Sequence, residues 1–117
     1  MLYIIAHLYT NPDAADAFHL YEEKALVLFK KHGGTVIGAF KPERPGTGST
    51  GRGQAYQGTA PDSWDAEVPH EIHMPSIPTD EAFANYRNDP GILALAEERT
   101  RVIRKTDIFV SRETVQY

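Results

Sequence analysis

The side chains in this sequence best suited to holding or passing protons are its five histidines and six tyrosines. Three of these rings, Tyr3, His7 and Tyr9, alternate with Ile5 along the opening segment Leu2–Tyr9. Residues two apart on a strand share a face, so the three rings line one side. Buried tyrosine hydroxyls and imidazole nitrogens require partners, and three of them exceed what a packing face needs. They form either the wall of a ligand pocket, with His7 as acid and base, or a core whose polar tips reach the rim or a backbone carbonyl.

A second histidine pair lies in His70-Glu71-Ile72-His73. The spacing differs from the helical His-Glu-x-x-His metal sequence. On a strand, residues three apart point to opposite faces, which separates His70 from His73 as ligands of one ion. If this strand pairs antiparallel with the first, Glu71 and His73 join the face bearing His7. A His7–His73 pair, its tautomer set by Glu71, would then be a proton-transfer unit. The same two histidines with a third ligand would make a metal site instead. The pairing register decides, and sequence does not give it; the expectation carried forward is no metal and no cofactor.

Arg99 interrupts an apolar helical stripe of Ile92, Leu95, Ala96 and Ile103. A buried guanidinium must meet a carboxylate, a group of carbonyls or an anionic ligand. His19, Glu22 and Glu23 read as solvated helix surface, as does the charged run Glu97–Arg101. Other chemistries are excluded by composition. Without cysteine there is no thiolate nucleophile and no Cys-ligated metal. Twelve basic against sixteen acidic residues give a net charge of −4, opposed to nucleic-acid binding. No apolar run nears the ~20 residues that span a bilayer, and Met1–His7 lacks a basic leader. The expected location is cytoplasmic, with no membrane partner.

The elements that would position these groups follow from periodicity. Leu2–Tyr9 is a strand ended by Asn11-Pro12-Asp13. Neither of its faces is polar, so both should be covered; the Tyr3/His7 face is assigned to the helices. From about Asp13 to His32 the period is helical, with Phe18, Tyr21, Ala25, Leu28, Phe29 and His32 on one stripe. Gly33-Gly34 stops that helix. Thr35–Lys41 is a second strand and Val68–Ile77 a third, whose Pro69 and Pro75 must face a gap, bulge or end. Thr79 caps a helix that breaks at Asn88-Asp89-Pro90, where Asp89 caps its continuation. Thr106–Ser111 is the fourth strand. The glycine-rich stretch at about 44–66 reads as an insertion; Tyr56 and Trp64 within it could close over an apolar ligand.

The order β-α-β-β-α-β with right-handed crossovers predicts an α+β, ferredoxin-like sandwich: one antiparallel sheet ordered 4-1-3-2, both helices on one face. The apolar strands leave a second greasy face, which a second copy would bury in a C2 homodimer.

Several segments support a closer likeness: Tyr3-Ile4-Ile5, Lys31-His32-Gly33-Gly34, Ile77-Pro78-Thr79-Asp80-Glu81-Ala82 and Asn85-Tyr86-Arg87-Asn88-Asp89-Pro90. Together they resemble a family of small uncharacterised bacterial proteins in the dimeric α/β barrel superfamily. That superfamily includes cofactor-free monooxygenases, polyketide cyclases, isomerases and haem-handling proteins. The resemblance implies a pocket between the sheet and its own helices. It also implies a role for Tyr86, which matches the catalytic tyrosine of plant polyketide cyclases; their partner histidine, six residues on, is here Ile92. The leading expectation is a homodimeric, cofactor-free enzyme acting on a small aromatic or polyketide-like molecule. His7, His73 and Tyr86 would carry the chemistry, and Tyr3, Tyr9, Phe18, Tyr21, Trp64 and Arg99 would bind substrate. The competing expectation is a non-catalytic metabolite-binding or scaffold dimer, with haem handling through His7 or His73 a third.

Overall fold

The computed structural model describes residues 1–43 and 68–117. The insertion at about 44–66, with Tyr56 and Trp64, lies outside the described residues. Four antiparallel strands form one sheet in the order β2-β3-β1-β4, which is the predicted order: β1 Leu2–Thr10, β2 Thr35–Phe40, β3 Glu71–Ile77 and β4 Ile103–Ser111. One face carries α1 Ala15–Lys31 and three short helices, α2 Asp80–Arg87, α3 Pro90–Leu93 and α4 Ala96–Val102. The expected single break at Asn88–Pro90 is present, and a second falls at Ala94–Leu95.

The helix ends use the expected chemistry. Gly33 adopts φ +88°, the left-handed geometry that glycine tolerates, and its amide donates to the carbonyl of Lys30. A Cβ at Gly34 would collide with the ring of Phe29, so only glycine lets β2 leave α1 there. Thr79 Oγ1 accepts from the Ala82 amide at 3.0 Å. Asp89 caps α3 by accepting from the Gly91 amide at 2.7 Å. Its other oxygen accepts from Lys31 Nζ and contacts His32 Nε2 at 2.7 Å. The cap of the broken helix is therefore tied to the last turn of α1, and this side chain is among the few buried charges.

Two corrections concern the sheet. On β1 the side facing the helices is Leu2, Ile4, Ala6 and Leu8, all buried, and Tyr3, Ile5 and His7 face away from them. Alternation alone could not choose, because both sides are apolar. Packing decided: the small Ala6 lets α1 lie close, with Phe18, Tyr21 and Ala25 above it. Tyr9 is buried, but beneath Arg104 and Lys105, whose charges lie 5.5 and 4.8 Å from its ring centre.

The second correction is the register. Ala6 pairs with His73 and His7 with Ile72, so the two histidines occupy opposite faces and the proposed His7–His73 pair does not exist. His7 instead sits across from Asp107 and edge-on to Phe109, with ring centres 5.8 Å apart. Proline explains the sheet's irregularity. The β2–β3 register shifts between Val36 and Gly38, beside Pro75, and β1–β3 pairing lapses between Tyr3 and Ala6 at the same level. β3 begins at Glu71, which leaves Pro69 and His70 on a bend before it.

Two predictions follow from the helix ends. Gly34→Ala forces the Phe29 ring aside and should cost about 1–3 kcal/mol in chemical denaturation, the range for an overpacked core. The contacts of Asp89, first His32, then the Gly91 amide and Lys31, lower its pKa from 3.8 to about 2. A carboxylate depressed in the folded state stabilises above its unfolded pKa, and that contribution fades as pH falls from about 4 towards 2. Asp89→Asn should therefore lower Tm at pH 7, and the gap from wild type should close across that window.

Candidate active site

The buried core is in two parts. One centres on Phe18, Tyr21, Val102 and Ile103, the other on Phe29, Leu2, Ile4 and Ile77. Between them, under α1, lies a cavity of about 140 Å³, bounded by residues of both parts and by the polar side chains of Tyr21, Glu22, His73, Tyr86, Arg99 and Thr106. A cavity at this level of the fold is what the family resemblance implied.

His73 is the buried centre of the polar group. Its Nε2 lies 2.8 Å from Glu71 Oε1, two residues away on the same face of β3. Its Nδ1 lies 3.6 Å from Glu22 Oε2 on α1, close enough for charge attraction and too long for a hydrogen bond. With Nε2–H donating to Glu71, a neutral ring leaves Nδ1 as the acceptor on the side of Glu22. Glu22 is pushed above its usual pKa, chiefly by burial; His73 opposes that shift and Glu71 adds to it. The imidazole and the Glu22 carboxyl thus stand side by side at the edge of a largely apolar space.

The same cavity is lined by hydrogen-bond donors. Burial raises the Tyr86 phenol to about 12 and also raises Tyr21, so both keep their protons. Tyr86 is held by Phe29, edge-on at 5.1 Å, and lies parallel to Phe83. The Phe29 ring fixed against Gly34 therefore also fixes the wall of the cavity. Arg99 reaches in from α4: its Nη2 donates to Thr106 Oγ1 at 3.0 Å, and its charge lies near enough to Tyr21 to oppose the rise in that phenol's pKa. The residue as a whole is exposed, so no desolvation forces a carboxylate partner on it, contrary to the expectation for a buried guanidinium.

Of the residues singled out in the sequence, Tyr21, His73, Tyr86 and Arg99 meet at this cavity. His7 and Tyr3 are on the opposite sheet face, Tyr9 is covered by cations, and Phe18 is fully buried beside the cavity, flanked by the rings of His70 and His73. Trp64 lies outside the described residues. Glu22 was missed: it was read as surface, yet it lies four residues after Phe18 and three before Ala25. Those are the intervals of the buried stripe itself, and a carboxylate on them was the available signal. Thr106 had no such mark.

Neither family models nor curated protein sequences match the chain. Solved structures do. A protein of unknown function from Rhodopseudomonas palustris superposes with a TM-score of 0.72 at 15% identity, covering 98% of this chain and 83% of that one. A NIPSNAP family protein of unknown function from Agrobacterium tumefaciens gives 0.61 at 18%, covering 95% and 86%. A proposed antibiotic biosynthesis monooxygenase from Nitrosomonas europaea gives 0.63 at 9%, covering 98% and 100%. Identities this low speak for fold alone: the chain has the α+β, ferredoxin-like fold shared by NIPSNAP and antibiotic biosynthesis monooxygenase-type proteins.

Proposed function

We propose that the protein is a cofactor-free enzyme that removes a proton from a small ring compound, a phenol or an enolisable cyclic ketone, and stabilises the resulting oxyanion. The observation that carries this reading is the arrangement of His73 between Glu71 and Glu22 at a cavity that Arg99 and two protonated tyrosines also line. A base fixed by a carboxylate, sharing a cavity with donors for developing negative charge, is the equipment for forming a phenolate or enolate. The size of the cavity narrows the substrate. A void of about 150 Å³ accommodates benzene, so about 140 Å³ suits one ring; further rings of a polyketide-like molecule would have to project from it. The proton leaves the substrate for His73 Nδ1, with Glu22 adjacent to take it on, while Arg99 and Tyr21 pair with the oxygen. The carbanionic ring is then ready for isomerisation, ring closure or attack on dioxygen, the reaction types of monooxygenase-, cyclase- and isomerase-like proteins. The few polar groups converging in a mainly apolar lining favour this over a non-catalytic scaffold, since that mixture is what orients a small ligand.

The same reading gives the outer sheet face to a second copy. Phe40, Met74 and Phe109 are exposed there, 55%, 37% and 57% respectively, around His7 and Ile5. Contiguous apolar surface on a sheet is normally an interface, and a twofold pairing closes it. His7 then belongs to subunit contact and not to catalysis.

Three measurements test these statements. A panel of single-ring phenols and cyclic 1,3-diketones should show enzyme-dependent C–H deuterium exchange or oxygen uptake. His73→Ala should slow it by about 10²-fold or more, the usual worth of a positioned base. No turnover on any member, or a rate indifferent to that change, would overturn the catalytic reading. Glu22→Gln should raise Tm at neutral pH. A carboxyl whose pKa is raised by folding costs stability as pH climbs above about 4.5, and His73, Glu71, Arg99 and His19 all bear on it. The advantage should shrink as pH falls through 4.5 and vanish well below it, where the carboxyl is neutral both folded and unfolded. Sedimentation equilibrium should give a dimer, and Phe109→Glu should give a folded monomer.

A further inference from the structure

We propose that His19, His70 and Glu71 form a binding site for a divalent transition metal of the zinc class, outside the cavity and sharing only Glu71 with the site above. His19 Nε2 lies 3.7 Å from Glu71 Oε2, and His70 Nε2 lies 4.0 Å from the same oxygen. One ligand atom from each residue falls within 4.8 Å of the other two. Tetrahedral zinc with bonds of about 2.0–2.1 Å needs ligand atoms about 3.4 Å apart. The three must close by a few tenths of an ångström to at most about 1.4 Å, and His19, exposed on α1, has the freedom to move. Two imidazoles and one carboxylate are a donor set for zinc and its neighbours in the first transition row, leaving further positions for water.

Strand alternation argued against a shared ion in this segment, and it does keep Ile72 on the far side. His70 escapes it because it stands on the bend before β3, with its amide bonded to the Leu8 carbonyl at 2.8 Å. Its ring turns towards α1, 5.1 Å from Phe18 and 6.2 Å from His19. The carboxylate is also oriented from behind. Glu71 uses Oε1 for His73 and presents Oε2 to the other two histidines, the kind of outer hydrogen bond that fixes a metal-binding carboxylate. A metal here would join α1 to the start of β3 through the same residue that holds His73.

The test is calorimetric titration of the metal-free full chain with Zn²⁺, and with Co²⁺ followed by its visible absorption. One ion per chain is expected, together with a zinc-dependent rise in Tm. His19→Ala, which removes an exposed side chain, should weaken binding by at least about 10-fold and abolish the rise. Absence of stoichiometric binding, or binding equally tight in His19→Ala, would overturn the proposal. Because the readout is metal affinity, it is separate from any result on turnover.

Discussion

Which side of the sheet each polar side chain faces is set by the pairing of β1 with β3. Ala6 opposite His73 turns that histidine and Glu71 towards the helices, while His7 and Ile72 turn away. A slip of one residue would exchange the two sets and put a greasy row where the proton-handling groups now meet. Leu2, Ile4 and Leu8 hold the pairing, because each must stay under the helical layer. The chemistry of the cavity thus depends on burial of aliphatic side chains that take no part in it.

That layer tolerates charge only because the charges answer one another. Glu22 enters at a cost, visible in its raised pKa, and is met by an imidazole and a guanidinium. His73 is buried between carboxylates, and Arg99 donates to Thr106 across the α4–β4 junction. Apolar replacements would pack more easily. Splitting the core into two clusters leaves room for this group and keeps one face of each member towards the empty space.

Much of the architecture was legible in the sequence. Periodicity marked α1, the residues Thr79, Asp89 and Gly33 marked the helix ends, and element order with handedness gave the strand arrangement. The site was legible in part. Tyr21 and Arg99 were visible as polar groups on apolar stripes, His73 through its neighbour Glu71, and Tyr86 through a resemblance. Register and facing were not legible, since β1 is apolar on both sides and the proline-broken β3 has no clean alternation. Hence His7 and Tyr3 were assigned to the wrong face. Glu22 was lost differently: its charge outweighed its spacing in a reading that expects acids to face water.

The β1–β4 ladder carries one more consequence. It sets Tyr3 opposite Ser111, so two neighbouring strands come from positions about a hundred residues apart. Local helices can form early, but β4 cannot join the sheet's edge beside β1 until the chain has been gathered in as far as Ser111. Such high contact order slows the search for the native state. A nascent chain emerging from the ribosome would hold its first strand unpartnered on one edge until the last had been synthesised.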